Sequence, residues 1–154
     1  MIKLTEKEKL LLQDLKNQEQ LCVDKYTAAS SKAKAEDLKS LFKNIAAIEQ
    51  GHLNTVNTII SGKAPSMSPK QGQSKPKFKT TFKAVSNYSA AGKKNDKYLC
   101  SDLLATEKYV SATYNTCVFE FAQPKLRQAL NHIQKEEQMH GEWLYGYMSA
   151  NGMY

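Results

Sequence analysis

Two Glu-x-x-His steps carry the most chemical information in this 154-residue chain: Glu49-Gln50-Gly51-His52 and Glu137-Gln138-Met139-His140. Residues three apart share one face of a helix, so each step points a carboxylate and an imidazole the same way. A single step of this kind is common on solvated helices. Here the two copies are 88 residues apart, and the same offset relates Glu19 to Glu107 and Tyr26 to Tyr114. Apolar positions keep the register, with Leu15 matching Leu103, Leu38 matching Leu126 and Ile45 matching Ile133. The chain reads as a duplicated helical hairpin.

Four helices must position these residues. Thr5-Glu6-Lys7-Glu8 has the form of a capping box and opens the first. Leu12, Leu15, Glu19, Cys22, Tyr26 and Ala29 then recur by threes and fours, the spacing of one helix face. The second helix carries Leu38, Phe42, Ile45, Glu49, His52, Val56 and Ile59 on its seam, with a stop at Ser61-Gly62. Asn95-Asp96 is the expected start of the third, whose seam runs Leu103, Glu107, Val110, Tyr114, Val118 and Phe121. Pro124 suits the first position of the fourth. Its seam is Leu126, Leu130, Ile133, Glu137, His140, Leu144 and Met148, and Asn151-Gly152 ends it. The expected layout is one domain over 1–154, with hairpins at 5–61 and 95–150 and a crossover at 63–93. Within the crossover, Lys77 to Lys83 reads as a short strand or the first turns of a short helix.

In an antiparallel hairpin, residues equidistant from the turn lie level. Glu19 and Glu49 are each about 15 residues, or roughly 22 Å, from a turn near residue 34. Glu107 and Glu137 stand in the same relation to a turn near residue 122. Packed seams inward, the hairpins gather four carboxylates and two imidazoles at the bundle centre. Four ionised carboxylates cannot share an apolar core unaided, since desolvation and mutual repulsion each cost several kcal/mol. Two divalent ions would balance them. A Glu from each of two helices plus Glu-x-x-His from the other two is the donor set of a dinuclear carboxylate bundle. The expected ligands are Glu19, Glu49, His52, Glu107, Glu137 and His140. Oxygen-rich ligation with one imidazole per ion suits iron or manganese. Tyr26 and Tyr114, two turns beyond Glu19 and Glu107, are placed to hydrogen-bond carboxylates behind the ligands. The plainer reading of the six is a Glu–His network kept for packing, and His132, off the seam, is read as a core histidine.

Composition bounds the alternatives. The net charge of +7 is concentrated between Lys63 and Lys94, where eight lysines meet no acidic residue. Taking those eight from the 22 basic residues leaves 14 against 15 acidic ones, a near-neutral body that argues against nucleic acid as a partner. No run of 18 apolar residues offers a membrane span, and the N-terminus has no apolar signal region. Cys22, Cys100 and Cys117 are odd in number and fall in helical patterns, and they read as buried small side chains in a reducing compartment. The basic crossover reads as a solvated linker, or as a tie to neighbouring proteins through acidic surfaces, strand pairing or Lys-Gln cross-links.

The six-residue pattern, both tyrosines and the long crossover resemble the ferritin-like superfamily. The resemblance implies an all-α four-helix bundle of two repeated hairpins, its second and third helices parallel. Within it, Leu103-Leu104-Ala105-Thr106-Glu107-Lys108-Tyr109, Tyr114-Asn115-Thr116, Glu136-Glu137-Gln138-Met139-His140 and the Gly152-Met153-Tyr154 end are similar to the spore coat protein F (CotF) family. That similarity covers about residues 99–154, and Met153 stands where the family pattern has Trp. It implies a coat component made in the mother-cell cytoplasm, deposited in the spore coat, and associating with other coat proteins and with itself. The superfamily resemblance implies an alternative, a di-iron or di-manganese oxidoreductase handling peroxide or oxygen. Metal storage in a cage is a third and weaker reading, because no fifth helix is evident.

Overall fold

The computed structural model describes residues 1–68 and 75–154; the part of the crossover between them lies outside the described residues. Four helices account for all the regular structure described: α1 (Glu6–Lys32), α2 (Glu36–Ile60), α3 (Ala90–Glu120) and α4 (Pro124–Ala150). They form a four-helix bundle in which α1 packs on α2 and α3, and α4 on α3 and α2.

Local chemistry fixes the helix ends. Glu8 N–H donates to Thr5 Oγ1 (3.2 Å) while Thr5 N–H donates to Glu8 Oε2 (2.8 Å), so the capping box forms as expected. Glu8 Oε1 also accepts the Ala122 N–H at 3.0 Å, pinning the α3–α4 turn beside the start of α1. Pro124 occupies the first turn of α4. Gly62 and Gly152, at φ +78° and +63°, follow the C-caps Ser61 and Asn151, where a left-handed residue ends the helix.

The third helix begins at Ala90, five residues before the start expected at Asn95-Asp96. Ser89 caps it, its Oγ accepting the Gly92 N–H at 3.0 Å. A Cβ on Gly92 would lie 2.8 Å from that oxygen, so the cap depends on glycine there. Asp96 serves a different element. Its carboxylate accepts N–H bonds from Lys34 (2.8 Å) and Ala35 (3.0 Å) in the α1–α2 turn. The start of α3 is thus tied to one end of the bundle, while Ile2 N–H on the Gly62 carbonyl (2.8 Å) ties the end of α2 to the other. The crossover therefore travels the length of the bundle, and α2 and α3 run parallel.

Residues 77–83 form neither the expected strand nor a helical turn. They bend at Lys77-Phe78 and then run without regular structure, with Pro76, Phe78, Thr80 and Phe82 half-buried and Lys77, Lys79 and Lys83 exposed. This is a strand's alternation with no partner strand, because the segment lies against a helix. Phe78 meets Trp143 edge-on at 5.3 Å and Phe82 meets Tyr147 likewise at 5.3 Å. Val85 N–H donates to Asn151 Oδ1 at 2.9 Å, and Lys79 pairs with Asp37 at 2.7 Å.

The apolar interior falls into two clusters. Toward the α1–α2 turn lie Tyr26, Leu38, Phe42, Leu103, Trp143 and Tyr147. Toward the α3–α4 turn lie Leu12, Val56, Val110, Phe121, Leu126 and Ile133. A buried polar layer separates them.

Candidate metal centre

That layer is made by one stretch of each helix. Glu19 of α1, Glu49 and His52 of α2, Glu107 of α3, and Glu137 and His140 of α4 are all at most 3% exposed. The level heights worked out from the two turns hold, so the structure brings all six expected residues together.

They converge as two overlapping sets, Glu19, Glu49, His52 and Glu137, and Glu49, Glu107, Glu137 and His140. Within each set the ligand atoms lie within 4.8 Å of one another. His52 Nδ1 faces Glu49 Oε2 and Glu137 Oε1, each at 3.0 Å, with Glu19 Oε2 at 3.7 Å. His140 Nδ1 faces Glu49 Oε1 and Glu107 Oε1, each at 3.1 Å, with Glu137 Oε2 at 3.6 Å. Glu49 and Glu137 therefore each turn one oxygen to either set, and Glu19 and Glu107 are terminal. The imidazole rings lie nearly parallel, with centroids 5.8 Å apart and planes 20° from each other.

Protons alone do not serve this arrangement. One Nδ1–H directs a single hydrogen, yet three carboxylate oxygens crowd each Nδ1. Glu19 Oε2, Glu107 Oε2 and Glu137 Oε2 are buried with no hydrogen-bond partner, and such orphans are costly. Donors about 2.1 Å from one ion and at right angles lie about 3 Å apart, the separation found around both imidazoles. Each of the two sets could hold a metal ion.

Burial pushes the Glu19 carboxyl up to about 7. Burial also drives that of Glu137 well above its ordinary range, with the charge of Glu107 adding to it. Burial acts in the same sense on Glu49, but hydrogen bonds from His140 and His52 outweigh it and hold that carboxyl low. Both imidazoles are held well above their usual value, against burial, by the carboxylates around them. Without metal the layer thus holds protons, which a bound ion would displace.

The tyrosines act across the bundle. Tyr26 of α1 donates to Glu107 Oε1 at 2.5 Å, and Tyr114 of α3 donates to Glu19 Oε1. Burial and the neighbouring carboxylates raise both phenols, so both stay protonated donors. Each terminal carboxylate is thereby held by the opposite hairpin.

Glu136 is a functional candidate that seam reasoning misses. Its Oε1 lies 3.4 Å from His52 Nε2 and 2.7 Å from His132 Nε2. It stands behind His52 on the side away from the carboxylates, near an Nε2 that makes no hydrogen bond in this arrangement, where a second carboxylate could orient a metal-bound imidazole. His132, read from the sequence as a core histidine, is half-buried and paired to it. The repeat gave no signal, because the positions matching Glu136 and His132 are Ile48 and Asn44. The three cysteines are buried and unpaired. Burial pushes all three thiols up, Cys100 and Cys117 to about 12, so they pack as small apolar groups.

No helix among the described residues is long and apolar enough to cross a membrane. Residues 95–154, nearly all of α3 and α4, match the family model described as the Coat F domain, which supports a CotF-like assignment. No curated protein and no solved structure matches the chain.

Proposed function

We propose that this chain, whose second hairpin carries a Coat F domain, is a structural component of the spore coat and that its bundle centre holds two metal ions. The observation that carries the coat assignment is the family match over 95–154. The matched segment contains Glu107, Glu137 and His140, half of the donor set. The first hairpin supplies the other half at the offset of 88, so the centre is built only when both hairpins pack.

Glu19, Glu49 and His52 would hold one ion with Glu137, and Glu107, Glu137 and His140 the other with Glu49. The oxygen-rich set favours iron or manganese, and bound ions of that kind would supply one-electron chemistry toward oxygen or peroxide. The chain's own residues do the positioning. Tyr26 and Tyr114 hold the terminal carboxylates, Glu136 orients His52, and the two apolar clusters exclude water on either side. The reading of the chain as a di-iron or di-manganese oxidoreductase rests on the same ferritin-like donor pattern. The overlap of the two sets on Glu49 and Glu137 favours it, because the ions would share two carboxylates. It is compatible with a place in the coat.

In the coat the chain would associate with other coat proteins and with copies of itself, after synthesis in the mother-cell cytoplasm. The test is fractionation of sporulating cells with an antibody to the untagged chain. The expected result is recovery from the purified spore coat. Recovery from vegetative cytoplasm with none in the coat contradicts the assignment.

A further inference from the structure

We propose that the centre is entered through a groove between α3 and α4, and that Gly141 keeps this way open to a divalent cation. The inference rests on the metal reading above and adds the route.

The groove encloses about 810 Å³, and Glu107, Glu137 and Gly141 line it. It therefore ends on two of the three carboxylates whose buried Oε2 atoms have no partner. Ser111, Gln134 and Gln138 line its approach, with Glu142 and Lys108 also on its walls. The side-chain oxygens of Ser111, Gln134, Gln138 and Glu142 can replace the water a hydrated cation sheds as it reaches the buried carboxylates.

The duplication supplies the comparison. The offset of 88 that superposes the ligands puts Leu53 where the groove has Gly141, Val23 where it has Ser111, and Ala46 where it has Gln134. Leu53 is 5% exposed, so an apolar side chain is buried in α2 at the position left empty in α4. Glycine within a helix costs up to about 1 kcal/mol against alanine, and the space around Gly141 does not require it. A Cβ there would first meet Leu104 Cδ1 at 3.6 Å, an ordinary contact. Packing does not explain the glycine. A passage does.

The experiment uses the full-length metal-free protein and Co²⁺, whose visible absorption reports binding, with stopped-flow uptake followed by extraction with excess EDTA. Gly141→Leu, alone and with Ser111→Val, gives the second hairpin the side chains of the first. The expected result is uptake and extraction both slowed about tenfold or more, with the final Co²⁺ content unchanged. Gly141→Ala should give an intermediate slowing, and it carries the test if the leucine variant does not fold. Asn54→Leu, on the exposed face of the other hairpin, should leave the rates alone. Full Co²⁺ loading of Gly141→Leu at wild-type rates overturns the route while the metal centre stands, as does equal slowing in Asn54→Leu. A wild-type chain that takes up no Co²⁺ overturns the metal reading and the route with it.

Discussion

At the residue scale, the convergence of the six Glu and His residues was legible in the sequence because each breaks an apolar seam at a position repeated 88 residues away. The tyrosines were legible for the same reason. Glu136 was not, since it lies off the seam and its counterpart is Ile48. The partner of Tyr114, Glu19 on the opposite hairpin, leads to a stability prediction. Tyr114→Phe leaves a fully buried carboxylate oxygen without its donor, and should cost about 1–3 kcal/mol in a urea melt of the metal-free protein. A loss well under that range would mean the carboxylate is satisfied without the phenol. Glu8 gives a pH prediction. Burial raises its carboxyl, but the accepted bonds from the Thr5 and Ala122 amides and the Thr5 hydroxyl outweigh this and hold it below its ordinary value of 4.5. A depressed carboxylate stabilises the fold above its unfolded pKa, and that contribution disappears as pH falls through the folded one. Glu8→Gln should therefore be less stable than wild type at pH 7, by about 1–2 kcal/mol, and the difference should shrink below the ordinary carboxyl pKa and close as pH falls through the lowered folded one. A difference independent of pH would assign the effect to shape rather than charge.

At the element scale, helix identity followed from periodicity, caps and stops, and the start of α3 did not. Asn95-Asp96 looks like a cap by composition, but Ser89 already satisfies the first turn and Asp96 is spent on the α1–α2 turn. Local preference cannot report a carboxylate recruited by a distant backbone. The crossover was ambiguous for a related reason. Its alternating Lys and Phe residues do form a strap, yet the face they cover belongs to α4, which no local pattern in 77–83 could name. Because Phe78 and Phe82 pack on Trp143 and Tyr147, the strap is part of the fold and not a free linker over those residues. Replacing both phenylalanines with alanine should cost about 2–5 kcal/mol, below the full core value because each is only half-buried. It should also make the 75–89 segment readily cut by protease. Replacing Lys77 and Lys83, which point outward, should do neither. Equal sensitivity of the two variants would contradict the docking.

At the scale of the whole molecule, the duplication is what the sequence stated most clearly and what the structure depends on most. Two hairpins, each with half of the donors, meet across a layer that neither could bury alone. Residues 90–154, which include the Coat F match, should therefore not fold when expressed by themselves, since they would expose Glu107, Glu137, His140 and one side of both apolar clusters. Circular dichroism with a cooperative melt from that fragment would show that the matched domain stands alone. What sequence could not reveal is the groove between α3 and α4 that Glu107, Glu137 and Gly141 line, since a glycine in a helix is silent until its neighbours are in place. The most direct test of the account is metal content by mass spectrometry, on untagged protein purified without chelator, for wild type and Glu137→Ala. The account predicts about two iron or manganese ions per wild-type chain. The variant, lacking a carboxylate shared by both sets, should hold one ion or none and melt at a lower temperature. Wild-type protein that stays metal-free after anaerobic loading with both ions, beside a variant that melts unchanged, would contradict the account at its centre.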